Sequence, residues 1–112
     1  FVNGSYPFVY LGSGGHIDGI INAAATGMEL ADADTLIIPG HGPLGTRDDL
    51  QRFHDMMVEI RARVARRMAA GESLAEIQAA RPTADFDETV NADGFIKPDV
   101  LVGFIYECLQ GA

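Results

Sequence analysis

Residues 35–43 read Thr-Leu-Ile-Ile-Pro-Gly-His-Gly-Pro, and this stretch decides the fold that we expect. Its first part is a short, continuously apolar and β-prone run, which is typical of a buried strand. Its second part predicts a rigid loop, because Pro39 and Pro43 restrict the backbone and the glycines beside His41 allow close approach. The stretch therefore predicts a strand over 35–38 that presents His41 at its C-terminal end, where α/β proteins bind ligands.

The sequence on either side predicts a helix-rich chain with a small sheet. A run of apolar residues broken by Pro7 favours a second strand near 6–11. Thr46 with Asp49 and Ser73 with Glu76 have the spacing of capping boxes, which mark helix starts. Apolar residues recurring every three or four positions predict helices near 16–31, 47–70, 73–80 and 98–110. We interpret the acidic stretch 83–94 as a surface loop, and the whole as an α/β chain.

Length and charge limit the classes of function. The 112 residues match one domain, or a fragment of one, and a hydrophobic content of 47% is that of a globular protein. A net charge of −8 argues against nucleic acid or an anionic membrane as the partner. The arginines between 61 and 67 lie in the second half of a predicted helix with an acidic first half. The helix dipole and the pairs Asp48–Arg52 and Glu59–Arg63 explain them as a solvated helix face.

Other sequence features give little chemistry. Cys108 is the one cysteine, so no internal disulfide forms, and its apolar neighbours place it as a small packing residue on a helix. No apolar run approaches the length of a membrane span, and the first residues do not read as a signal peptide. Because the chain begins without methionine, we expect a mature, trimmed or partial chain, and the compartment stays open between cytoplasm and periplasm.

The segment 37–42, Ile-Ile-Pro-Gly-His-Gly, resembles the last metal-binding motif of the metallo-β-lactamase superfamily. Residues 3–8, the Ser-Gly-Gly turn at 13–15, the helix after it and the stretch 46–95 also resemble the C-terminal half of bacterial members. The similarity covers nearly the whole chain, and the Pro-Gly-His-Gly element is its most specific part.

The resemblance implies one half of a four-layer αβ/βα sandwich and a zinc-dependent hydrolase. His41 would be the last metal ligand, and the substrate a small molecule such as a β-lactam, thioester, lactone or phosphoester. The family's His-x-His-x-Asp-His motif, a further histidine and a bridging aspartate all precede the segment seen here, and none is present in the sequence. Zinc needs three or four ligands, so the chain alone should be inactive. Its partner should be the missing N-terminal half, or a second copy in a two-fold dimer.

The histidines and the acidic residues also have structural interpretations that need no metal. His41 could be a loop histidine that caps a turn, His16 reads as a surface residue at a helix start, and His54 as a structural or solvated residue. Asp32 and Asp34 fit a solvated turn before a strand. The acidic residues between 85 and 93 lack the glycine and glutamate of a calcium loop. The alternative function is a non-catalytic half-domain that self-associates through its sheet.

Overall fold

The computed structural model describes residues 3–7, 9, 15–39, 42–90 and 96–110. This part of the chain is rich in helix and contains one small sheet, which agrees with the coarse α/β class. The elements in chain order are α1 (Ile17–Leu30), β1 (Leu36–Ile37), β2 (Gly45–Thr46), α2 (Arg47–Ala69), α3 (Leu74–Ala79), α4 (Ala84–Asp87) and α5 (Pro98–Gln110). None of the helices in these ranges is long and apolar enough to cross a membrane.

The predicted starts of α2 and α3 are confirmed, because both capping boxes form. The Thr46 hydroxyl accepts from the backbone N–H of Asp49 at 3.3 Å, and the Asp49 carboxylate accepts from the Thr46 N–H at 2.9 Å. Ser73 and Glu76 make the same pair of bonds at 3.2 and 3.0 Å. Each box satisfies donors that a helix start leaves without partners, so these starts are fixed locally.

The core lies where α2 packs against α1 and α5. The long helix supplies the central side chains through an apolar stripe at helical spacing. Cys108 of α5 is 1% exposed, which confirms its role as a packing residue. The largest fully buried side chains include Ile17, Met57, Ile60, Ile77, Leu101 and Ile105.

Within the stretch predicted as a strand, 35–38, only Leu36 and Ile37 form one, and it is not buried on both faces. β1 pairs antiparallel with β2, with Leu36 opposite Thr46 and Ile37 opposite Gly45. Leu36 is 70% exposed and Ile38 85% exposed, whereas Ile37 packs against the core. The prediction of burial is wrong because only one face of this short hairpin meets the helices.

The strand predicted near 6–11 is not found at the described positions in that range. Tyr6, Pro7 and Val9 are buried but irregular; residues 8, 10 and 11 lie outside the described part. Pro7 has no backbone N–H to donate to a neighbouring strand. The Tyr6 hydroxyl donates to the Asp87 carboxylate. Burial of this segment comes from packing against the helices.

The surface-loop prediction for 83–94 is wrong in part. Its beginning forms the short helix α4, and Thr83 is 1% exposed. The backbone N–H groups of Phe86 and Asp87 both donate to the Thr83 carbonyl at 2.9 Å. Residues 91–94 lie outside the described ranges.

The ion pairs of α2 follow the predicted polarity with one change of partner. Glu59 accepts from Arg63 Nε at 3.0 Å, as predicted. Arg52, however, pairs with Asp49 rather than Asp48, one turn earlier on the same helix. Both partners lie at spacings that face each other on a helix, and Asp49 is already held there by the capping box.

Candidate functional site

The candidate metal ligand, His41, lies in the connection between β1 and β2 but outside the residues that the structure describes. The described residues around it show how the connection is held. The side-chain amide of Asn3 donates to the carbonyl of Pro43 at 3.0 Å and approaches that of Leu44 at 3.5 Å. The N-terminal segment therefore anchors the loop that carries the predicted ligand.

Gly42 is a described position of this loop that only glycine fits without strain. Its φ is +94°, a conformation that side chains with a Cβ rarely adopt. A Cβ placed there would also collide with the backbone carbonyl of Asn3. The glycine after His41, predicted to allow close backbone approach, thus does so against the N-terminal segment.

His16 and His54 make their contacts on helices, away from the β1–β2 connection. Nδ1 of His16 accepts from the backbone N–H of Asp18 at 3.1 Å and so caps the start of α1. Nδ1 of His54 lies 3.0 Å from a carboxylate oxygen of Asp55, on α2. His16 is therefore a helix cap, and His54 pairs with Asp55 on α2. Both observations agree with the non-catalytic roles that the sequence favours for these histidines.

Zinc needs a set of ligands that the described residues do not offer. Within the described ranges, no group of three or more His, Cys, Asp or Glu side chains is placed to hold a metal ion. Asp32 accepts from the backbone N–H of Asp34 at 2.9 Å and from the Thr35 hydroxyl at 3.0 Å, which is a turn rather than a cation site. The backbone hydrogen bond from Asp34, more than any other cause, lowers the pKa of Asp32. The described residues therefore do not form a zinc centre by themselves.

A cavity of about 760 Å³ opens beside Asn3, between the first half of α2 and the segment 85–90. Its apolar wall includes Phe53, Met56, Phe86 and Val90, and its rim is charged. This combination of apolar wall and polar rim is the usual form of a small-molecule site.

Two of the carboxylates on that rim, those of Asp49 and Asp85, accept hydrogen bonds that favour their charged form. A hydrogen bond from the backbone N–H of Thr46 is the main cause that lowers the pKa of Asp49. The Arg63 guanidinium, donating at 2.6 and 2.9 Å, lowers the pKa of Asp85. Both carboxylates are therefore anionic near neutral pH and do not serve there as general acids.

The outward face of the β1–β2 hairpin is apolar. Ile38 follows β1 and Leu44 precedes β2. Extending the strand alternation and the register by this one residue puts Leu36 and Ile38 on one face, with Leu44 opposite Ile38. These three side chains, here called the outer hairpin face, are 70%, 85% and 63% exposed. Ile37, on the inner face, packs against the core. Strands with apolar residues on both faces are typical of sheets covered on both sides.

Sequence reasoning identified His41 but missed the residues that hold its loop. An asparagine side chain gives no local signal of a hydrogen-bond partner 40 residues away. Comparisons with protein-family models, with characterised proteins and with solved structures gave no match.

Proposed function

We propose that this chain is the C-terminal part of a zinc-dependent hydrolase of the metallo-β-lactamase superfamily, to which it contributes His41 as a metal ligand. The proposal starts from the Pro-Gly-His-Gly element and its position after an extended apolar segment. The chain's own contribution is to hold the loop: Asn3 anchors it, and Gly42 permits the close approach. The remaining ligands and the other half of the sandwich would come from residues N-terminal to this segment.

The observation that carries the proposal is the outer hairpin face. Three large aliphatic side chains exposed together on a hairpin are costly in water, and such a patch usually marks a surface that meets another layer. A second half of a sandwich would cover this face directly beside the loop of His41. The proposal thus accounts for the motif and for the exposed face together.

The same face favours a second candidate, a non-catalytic half-domain that self-associates. A two-fold dimer could bring two outer hairpin faces together and cover the unpaired edges of the sheet. This candidate needs no further ligands and no substrate. It differs from the first in its partner, which is a second copy rather than an N-terminal half.

Zinc content tests the first candidate. The protein encoded by the complete reading frame should contain a His-x-His-x-Asp-His segment upstream and should copurify with zinc, measured by mass spectrometry. His41→Ala should lower the zinc content, whereas His54→Ala, on the surface of α2, should leave it unchanged. A frame without that segment, or zinc retained in full by His41→Ala, would reject the assignment.

Both candidates predict that the 112-residue chain alone is inactive. We expect it to hold little zinc and to hydrolyse lactams, thioesters and lactones at no more than background rates, because a lone histidine does not make an open zinc site. Robust turnover that a chelator abolishes would contradict this.

Sedimentation of the same chain at micromolar concentration tests the dimer. If the outer hairpin face forms it, Ile38→Glu should yield monomers, while Leu30→Glu should not. Leu30 is 84% exposed, much as Ile38 is at 85%, but it belongs to the end of α1. A monomeric unmodified chain would remove the second candidate.

A further inference from the structure

A second concave surface lies far along the chain from His41, at the C-terminal end of α2. This arginine groove has a volume of about 450 Å³ and is lined by four arginines, one carboxylate and three apolar residues: Arg63, Arg66, Arg67, Arg81, Glu72, Ala70, Ala80 and Pro82. The chain has only 8 basic residues and a net charge of −8. Half of its basic residues therefore line one groove. Three of them belong to α2, and Arg81 follows α3.

The four guanidinium groups differ in how many hydrogen bonds they already make within the protein. Arg63 is committed to the protein: its Nε donates to Glu59 at 3.0 Å and its Nη1 to the Pro82 carbonyl at 2.8 Å, besides the pair with Asp85. Arg67 donates from Nη1 to Glu72 at 3.0 Å. These two arginines form the fixed walls of the groove.

Arg66 and Arg81 are the available donors. The side chain of Arg66 is 69% exposed, and its one ion pair in the described part of the chain is to Glu59 at 3.8 Å, too long for a hydrogen bond. The side chain of Arg81 is 67% exposed and reaches Asp87 with Nη2 alone, at 3.3 Å. Both retain N–H groups that can point at a ligand in the groove.

The backbone at Arg81 supports a role for its side chain. Arg81 has φ +51° and follows the C-cap of α3, a position where glycine is usual. The chain uses glycine at the equivalent position after α2, where Gly71 has φ +85°. An arginine in this left-handed conformation is strained, and such strain is often retained where a side chain has a function. Here the strained residue is one that lines the groove.

We propose that the arginine groove binds a compact polyanion, namely a phosphorylated small molecule with at least two negative charges. Guanidinium groups match phosphoryl oxygens with paired hydrogen bonds, and two of them can hold two anionic groups at once. Among the described residues no aromatic side chain lines the groove, so these residues offer no stacking surface for a base. The acidic surface of the rest of the chain repels a long polyanion, which favours a small ligand over a nucleic acid. The site is independent of His41 and of the proposed hydrolase.

Calorimetric titration of the 112-residue chain with inorganic pyrophosphate in low-salt buffer tests this site. We expect one site that binds orthophosphate and sulfate more weakly than pyrophosphate. Arg66→Gln and Arg81→Gln should each weaken pyrophosphate binding about tenfold, the effect of losing one charge-assisted contact. Arg52→Gln is the matched control, because Arg52 is also on α2 and its side chain is 73% exposed, but it lies outside the groove.

The absence of binding at millimolar pyrophosphate would overturn the proposal. Equal weakening by all three substitutions would also overturn it, because it would indicate attraction without a site. Arg81→Gly separates function from folding. Both variants lose the pair with Asp87, but glycine also relieves the left-handed strain, so Arg81→Gly should melt at or above the temperature of Arg81→Gln while pyrophosphate binding falls equally in the two. Binding that survives Arg81→Gly unchanged would exclude Arg81 from the site and refute the proposal.

Discussion

Replacing Gly42 by alanine should destabilise the chain more than the same replacement at Gly71. Both glycines have positive φ, +94° and +85°, so both alanines meet the same kind of backbone strain. The surroundings differ, because a Cβ on Gly71 has nothing within 4 Å whereas one on Gly42 collides with the carbonyl of Asn3. Gly71→Ala therefore measures the strain alone, and Gly42→Ala measures the strain together with the contact.

The size of the difference follows from the contacts of Asn3. A left-handed conformation costs an alanine about 1 kcal/mol, which is the expected loss for Gly71→Ala. In Gly42→Ala the loop must also move away from Asn3, and the hydrogen bond from Asn3 to the Pro43 carbonyl is then lost. That bond adds about 1 kcal/mol, so we expect a total of about 2 kcal/mol or more. In a domain of this size the melting temperature would fall by about 5 °C for Gly71→Ala and about 10 °C for Gly42→Ala.

Urea denaturation followed by circular dichroism gives both free energies of unfolding on one scale. Asn3→Ala completes the comparison: it removes the side-chain bond but leaves the backbone carbonyl, so it should lose only about 1 kcal/mol. Equal destabilisation by Gly42→Ala and Gly71→Ala would refute the close approach of the loop to the N-terminal segment. It would also remove the support that Asn3 gives to the loop of His41.

Three further predictions concern the fold. Met57→Ala should lose about 2–5 kcal/mol of unfolding free energy, because Met57 is fully buried. Val58 is half-exposed, so Val58→Ala should change the unfolding free energy by about 1 kcal/mol or less. Equal losses in the two variants would contradict the assigned faces of α2. Thr46→Ala should lose about 1 kcal/mol by removing the cap of α2, and Thr46→Ser, which keeps the hydroxyl, should recover most of it in the same urea assay. Burial, as the largest cause, and the hydrogen bond to a carboxylate raise the pKa of Tyr6 above its ordinary value near 10. The unfolded chain therefore loses the Tyr6 proton at a lower pH than the folded chain, and the unfolding free energy should fall as the pH rises above about 10. Tyr6→Phe should lessen that alkaline slope, and an unchanged slope would show that Tyr6 does not cause it.

The helices were predictable from the sequence because their signals are local. The capping boxes at Thr46 and Ser73 and the apolar periodicity of α2 each lie within one element, and the observed bounds agree within one or two residues. The pairing of Arg52 was predicted with the wrong aspartate, since two adjacent acidic residues both satisfy the spacing. A capping bond, visible only in the structure, decides between them.

The segments that the sequence placed wrongly depend on distant partners. Tyr6 reads as part of an apolar strand, yet its hydroxyl bonds Asp87, which no local pattern indicates. α4 is a single turn with no side-chain cap, too short for periodicity to reveal. For the candidate site, the motif identified His41, but Asn3 and the exposure of Ile38 became apparent only through tertiary contacts. Whether His41 binds metal stays a prediction.

The contacts of the N-terminal segment also bear on the order in which the chain folds. Its two side-chain anchors span 40 residues, from Asn3 to Pro43, and 81 residues, from Tyr6 to Asp87. Closing such long loops is entropically unfavourable until the helices between them have formed. On a ribosome, Asn3 and Tyr6 emerge before their partners and would therefore dock late, waiting until α4 has been synthesised. During that interval Tyr6 and Val9 would stay accessible to chaperones and proteases, although both are buried once folding is complete.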